Sequence, residues 1–253
     1  YLNSDVVVKN MGLGRDHTGH MNFSEADFTA IVMKHAALGR QIATHTQGDR
    51  AVEITLNAYE KALAAYPNAK RPFRLEHCAL MTEAQIHRAV RLGVECSFFL
   101  AHIYYWGEML RDAMFGPERL AHYMASGTAT RAGMRLSQHF DTPMTWPNAL
   151  LILYLATTRR SKAGNVIGPT EVVDIDAALR SLTIDADHQI GMEDRVGSLA
   201  PGKYADFVIL DRNPRTIDPE RLLDLQLKGT WLGGKEMWNA AKGDHKMIDY
   251  GVP

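Results

Sequence analysis

Short apolar runs alternate along the chain with longer stretches whose apolar positions recur every three to four residues. The runs DVVVK (Asp5–Lys9), QIATH (Gln41–His45), FRLEHC (Phe73–Cys78), VECSFFL (Val94–Leu100) and GMRLSQHFD (Gly133–Asp141) predict strands. Between the first two, Ser24 with Asp27 caps a helix that runs to Leu38. Ala51, Ile54, Ala58 and Ala62 make the apolar stripe of a helix over Arg50–Ala65, which Pro67 stops. Thr82 and Gln85 form a capping box for a helix that ends at Leu92, before Gly93. Further helices are predicted near Pro117–Met124, Pro147–Thr158 and Ala177–Asp187.

Strands alternating with helices predict βαβ units and a parallel sheet, hence an α/β fold. A closed barrel of eight strands takes about 250 residues, whereas here the repeating part ends near residue 190 after five predicted strands. The expectation is a partial (β/α)8 TIM barrel containing about strands 4–8, with the earlier strands upstream. The tail VGSLAPGKYADFVILDRNP switches to short strands and turns, so residues 1–195 are expected to form the barrel portion and 196–253 a separate small β structure. The opening YLNSDVVVKN has neither an initiator Met nor a signal-peptide pattern, and reads as the downstream part of a longer polypeptide.

Composition changes this picture little. With 253 residues, 46% of them hydrophobic, and Lys+Arg 28 against Asp+Glu 29, the chain reads as an ordinary globular protein. The charge balance gives no electrostatic reason to expect nucleic acid or a membrane surface as partner. The longest apolar stretch, around Ala149–Thr157, is too short and too interrupted to span a bilayer. Cys78 and Cys96 both fall in predicted strands and are expected to be reduced core thiols in a cytoplasmic protein. Assembly into a homo-oligomer is left open.

The chemistry is concentrated where apolar runs end. His45, His77 and Asp141 close three of the predicted strands, the position at which a parallel barrel gathers functional groups. Two imidazoles and a carboxylate suit a divalent metal such as zinc, iron or manganese that keeps an open position for water. A single strand-end histidine reads as an ordinary core residue; three matched positions shift the balance. In GMRLSQHFD a period of two puts His139 on the same side as Asp141, so His139 either lines the pocket or supports a ligand from behind. Lys9 ends an apolar strand, where a lone ammonium is costly to bury, and so either emerges into solvent as the strand ends or sits at the barrel mouth, is paired, or is chemically modified. Glu76 is expected to point away from His77, toward the helices, and to pair with an arginine such as Arg50. The segment FFLAHIYYWGEMLRD (Phe98–Asp112) reads as an aromatic loop that either walls a substrate pocket or packs, which makes His102 and Trp106 candidate substrate-binding residues. His17, His20, His35, His87, His122, His188 and His245 lack ligand spacing and read as surface or packing histidines.

HTQGDRAV (His45–Val52), RLEHCAL (Arg74–Leu80) and GSLAPGKYADFVILD (Gly197–Asp211) resemble signature motifs of the amidohydrolase superfamily. FFLAHIYYWGE, LSQHFDTPM and ALRSLTIDADHQIGMEDRVGSLAPGK narrow the resemblance to the YtcJ-like amidohydrolase family 3, over nearly the whole chain from Asn22 to Asn239. The resemblance implies a metal-dependent distorted barrel flanked by a β-sandwich built from both ends of the full chain, hydrolysing C–N bonds of small amide-like or formamide-like substrates. It further implies His45 and His77 as ligands of a divalent metal, most simply one or two zinc ions, and Asp141 as catalytic acid/base and ligand. Lys9 occupies the place of a carboxylated bridging lysine. The H-x-H pair of the family's first strand has no counterpart here, since HTGH (His17–His20) has the wrong spacing. The expectation is a fragment lacking the N-terminal half of the enzyme, with a split-enzyme subunit or an inactive structural chain as the alternatives.

Overall fold

The computed structural model describes residues 18–70 and 72–242. The predicted strand Asp5–Lys9, and with it Lys9, lies outside the described residues, as do His17 and His245. Helix α1 (Glu25–Ala37) starts where expected, with the Ser24 hydroxyl accepting from the Asp27 backbone N–H at 3.1 Å. Strand β1 (Ala43–Thr46), helix α2 (Asp49–Ala65), strand β2 (Phe73–His77), helix α3 (Glu83–Leu92) and strand β3 (Val94–Phe98) follow. The capping box at α3 is formed on both sides: Gln85 N–H donates to the Thr82 hydroxyl and Thr82 N–H to the Gln85 side-chain oxygen. Gly93 stops the helix in the left-handed conformation that an L side chain resists.

The four strands β1, β2, β3 and β4 (Leu136–Gln138) form one sheet in that order, every pair parallel. Its register aligns His45 with Glu76 and Glu76 with Ser97, which lies opposite Ser137 on β4. Because side chains alternate along a strand, one face carries Phe73, Leu75, Val94, Cys96 and Phe98, all essentially buried. Tyr59 of α2 packs edge-on against Phe73 on that face, and its hydroxyl bonds the Thr44 hydroxyl at 2.6 Å. The other face carries Arg74, Glu76, Glu95, Ser97 and Ser137.

Five expectations need correction. The aromatic segment is not a loop. Ala101–Met109 is helix α4, continued by a π-helical turn over Leu110–Phe115, because nothing before Gly116 breaks the pattern and Ala101, Ile103 and Gly107 are buried. Next, α5 is short (Gly116–Leu120), and α6 (Ser126–Arg131) follows after Met124 takes a left-handed conformation. The predicted strand over Gly133–Asp141 shrinks to β4. His139 and Asp141 lie beyond it, and Asp141 has φ +50°, so the two-residue period does not govern their placement. Asn148 caps α7 (Ala149–Thr158), and the helix expected over Ala177–Asp187 is two, α8 (Ile175–Ser181) and α9 (Ile184–Ile190). The break falls at Thr183, whose hydroxyl bonds back to the Leu179 carbonyl at 2.8 Å. Finally, Glu76 pairs at 2.5 Å with Arg74, its neighbour on the same face, while Arg50 pairs with Glu25 and Glu53.

Helix α9 closes the polar face at the amino ends of the strands. The buried Gln189 accepts from the Ser137 hydroxyl at 2.7 Å and donates to the Cys96 carbonyl at 3.0 Å, and its own carbonyl accepts from Gln41 at 2.6 Å. His188 contacts Glu95 at 3.2 Å and Glu193 at 2.8 Å and so anchors two carboxylates. Residues after 196 build a second sheet, antiparallel, of β5 (Phe207–Leu210), β6 (Leu227–Leu232) and β7 (Lys235–Asn239). Among the described residues no helix is long and apolar enough to cross a membrane. Cys78 and Cys96 are free and buried.

Replacing Gln189 by Ala leaves the Ser137 hydroxyl and the Cys96 carbonyl without their partner. The expected loss is about 2–3 kcal/mol, the range for stranding buried polar groups, read as a lower midpoint in urea with unchanged slope.

Candidate active site

Three imidazoles meet at the carboxyl ends of β1, β2 and β4. The rings of His45 and His77 lie 4.4 Å apart edge-to-face, and those of His77 and His139 lie 4.6 Å apart. His139 Nε2 is 3.2 Å from His77 Nδ1, and the opposite nitrogen, His139 Nδ1, is 2.9 Å from the Ser97 hydroxyl. A fourth imidazole, His102, stacks parallel to His77 at 6.5 Å. Its Nδ1 is held by the Tyr123 hydroxyl at 3.0 Å, and Trp106 meets its ring edge at 5.3 Å. Phe99 fills the angle between His77, His102 and His139.

Backbone geometry explains how His77 arrives there. Alternation along β2 would send it to the same side as Phe73 and Leu75. Its φ of +70° turns the chain over, and Cys78 at +54° continues the turn. A non-glycine residue pays about 1–2 kcal/mol for this conformation, so the strain is concentrated at the site. Cys78 N–H is satisfied by the Thr46 carbonyl at 2.9 Å, which ties the turn to β1.

Burial makes the imidazoles poor bases. Loss of water, followed by the neighbouring His45 ring, lowers His77 to about 4, with Asp141 opposing. Desolvation and then His77 lower His102 to about 4, again opposed by Asp141. Desolvation, His77 and His102 together take His139 to about 3. All three rings are therefore neutral near pH 7, the form in which histidine binds a metal. Asp141 is exposed and close enough to act electrostatically on both His77 and His102.

The structure thus gathers His45, His77, His102, His139 and Trp106, with Asp141 at the rim. Among the described residues, no group of three or more His, Cys, Asp or Glu side chains is spaced to hold a metal. The donor set fits a metal as part of a site: two imidazoles in contact, one held neutral, beside a carboxylate. His45 also lines a groove between α1 and β1 with Phe28, Ile31 and Ile42, to which the other three imidazoles do not contribute. Ser97 and Tyr123 had no sequence signal of their own. Ser97 sits two residues from Glu95 inside an apolar run, and only the sheet register puts it behind His139.

The profile of the Amidohydrolase family matches residues 2–237. The chain belongs to this family. It is 30% identical over 222 residues to the N-substituted formamide deformylase of Arthrobacter pascens, a match covering 87% of this chain and 40% of that protein. It is 28% identical over 211 residues to the putative amidohydrolase YtcJ of Bacillus subtilis, covering 81% and 39%. The chain therefore spans about 40% of the length of these curated relatives. Among solved structures, an uncharacterized metal-dependent hydrolase from Pyrococcus horikoshii superposes with a TM-score of 0.71 at 23% identity, covering 86% of this chain and 42% of that one. That likeness is one of fold.

The lowered imidazoles set a pH dependence. In the unfolded chain these histidines take a proton near 6.5, while in the fold they resist it until about 4 or below. Stability is therefore fully present above pH 6.5 and lost as pH falls toward 4. Each ring contributes at most about 1.4 kcal/mol per pH unit in that window. Denaturation midpoints measured between pH 8 and pH 4 should fall along this course, and His139→Gln should flatten it.

Proposed function

We propose that the chain is part of a metal-dependent amidohydrolase that hydrolyses the C–N bond of a small amide-like or formamide-like substrate. The observation that carries the reading is the contact between His45 and His77 at the ends of adjacent parallel strands, beside Asp141. His45 and His77 would hold the metal, with Asp141 as carboxylate ligand and acid/base. A divalent metal bound there supplies a Lewis acid for the carbonyl oxygen and lowers the pKa of water toward about 7. Zinc is the metal that two imidazoles and a carboxylate suit best.

The residues of the chain divide the remaining work. Asp141, exposed at the rim, accepts the proton that the attacking water gives up and returns it to the departing nitrogen as the C–N bond breaks. His102 is fixed through Nδ1 by Tyr123, which leaves Nε2 to meet the carbonyl oxygen as negative charge develops on it. Trp106 and Phe99 exclude water from that side and wall the pocket. Lys9, outside the described residues, would serve in this reading as a carboxylated lysine that adds an anionic oxygen ligand.

The parallel sheet is read as strands of an incomplete TIM barrel over residues 1–195, and residues 196–253 as strands of a composite β-sandwich. The missing H-x-H pair and the first strands are assigned to sequence outside these 253 residues, in the same polypeptide or in a second one. Two features support this: β1 and β4 are edges of the described sheet, and the curated relatives are more than twice as long as the match. The cytoplasm is the compartment that two free thiols suit.

Asp141→Asn in the complete enzyme should leave metal content nearly intact and lower kcat by about 10²–10⁴-fold, the size of a general acid/base contribution. Metal analysis beside turnover of N-formyl and N-acyl substrates reads both effects. Full activity in a metal-loaded variant would overturn the role of Asp141.

A further inference from the structure

We propose that Ser97 and His139 are positioning residues that set the tautomer and ring orientation of His77, so that His77 presents the lone pair of Nε2 to a metal. The inference rests on the metal-site reading above. It deepens it by assigning work to two residues that would touch neither metal nor substrate.

His139 is engaged at both ring nitrogens, with His77 Nδ1 at 3.2 Å on one side and the Ser97 hydroxyl at 2.9 Å on the other. Its own backbone N–H donates to the Phe98 carbonyl at 3.0 Å, and Phe99 stacks on its ring at 5.4 Å and 19°. Ser97 is 4% exposed in β3, which pairs with β2 on one side and β4 on the other, so the backbone that carries its hydroxyl is fixed. The ring that faces His77 is thus held at four points.

A neutral imidazole has one donor and one acceptor nitrogen, so the chain Ser97–His139–His77 has two self-consistent proton arrangements. In the first, His77 Nδ1–H donates to His139 Nε2, and His139 Nδ1–H donates to the Ser97 oxygen. His77 Nε2 then carries a free lone pair. In the second, every bond is reversed: the Ser97 hydroxyl donates to His139, His139 donates to His77, and His77 Nε2 carries the proton. Only the first can bind a metal through Nε2. A serine terminates either arrangement, since its hydroxyl is both donor and acceptor and needs only to rotate. A metal therefore selects the first, in which His77 Nδ1 and both ring nitrogens of His139 keep their hydrogen bonds. Residues behind a ligating histidine fix its tautomer and ring in this way, and their loss typically costs about 10–100-fold in metal affinity.

The test uses the complete enzyme carrying this chain. Zn(II) affinity is measured by competition with a chromophoric chelator, and ¹⁵N shifts of labelled histidine report the tautomer of His77. The expected result is Nδ1–H on His77 in the metal-loaded wild type. Ser97→Ala and His139→Ala should bind Zn(II) about 10–100-fold more weakly. His139→Gln, whose amide oxygen accepts from His77 Nδ1, should recover most of that loss. The inference is overturned if the loaded wild type carries Nε2–H on His77, which needs no variant to fold. It is equally overturned if Ser97→Ala and His139→Ala, still melting cooperatively, bind Zn(II) within about twofold of wild type. A wild type that binds no Zn(II), or binds it unchanged after His77→Ala, overturns the metal-site reading and this inference with it. Tight wild-type binding lost on His77→Ala but untouched by the other variants removes the inference alone.

Discussion

A left-handed backbone at the end of β2 decides how the imidazoles of this chain come together. Phe73 and Leu75 point into the helix-covered core, and the same alternation would bury His77 among them. At φ +70° the chain turns over, His77 meets His45 and His139, and Cys78 drops into the core in its place, its thiol 3.4 Å from the Leu75 carbonyl. A small apolar residue after the histidine is what makes this exchange cheap. The imidazole leaves the core and a thiol, fully buried, fills the space. The conformational strain of about 1–2 kcal/mol per residue is carried by the Thr46 carbonyl bond on one side and by packing on the other.

The polar face of the sheet is anchored at both ends. At the amino ends, Gln189 and His188 of α9 bind Ser137, the Cys96 carbonyl and one oxygen of Glu95. At the carboxyl ends, four imidazoles share one patch and exclude water from one another, which is why three of them hold protons so weakly. Desolvation, the first cause in each case, comes from the aromatic helix α4 and from the rings themselves. In the same crowded patch, Ser97 and Tyr123 fix the orientations of the His139 and His102 rings.

Much of the frame was legible in the sequence because it is written in local terms. The Ser24 and Thr82–Gln85 caps, the Gly93 stop and the strands ending at His45 and His77 each depend on neighbours within a few residues, and each is found within a residue or two of its expected place. The aromatic segment is ambiguous in sequence because Phe, Tyr and Trp suit a strand or loop wall as well as a helix. Burial of Ala101, Ile103 and Gly107, with Gly107 close against Ile167, settles the matter in favour of the helix. Alternation counted from His77 directs Glu76 toward the helices, but His77 is the residue of β2 that does not obey the alternation. The two-residue period of a strand does not place His139, because β4 stops at Gln138; the turn beyond the strand brings its ring against His77.

The sequence by itself determined the α/β alternation, the helix caps and the histidines at strand ends, because periodicity and capping are properties of short segments. It also carried the family motifs, which the match over residues 2–237 confirms. Tertiary structure alone decided that His77 turns out of the core, that Ser97 and Tyr123 stand behind His139 and His102, and that α9 closes the polar face. These depend on sheet register and on left-handed backbone at single residues, both set by contacts between segments far apart in the chain.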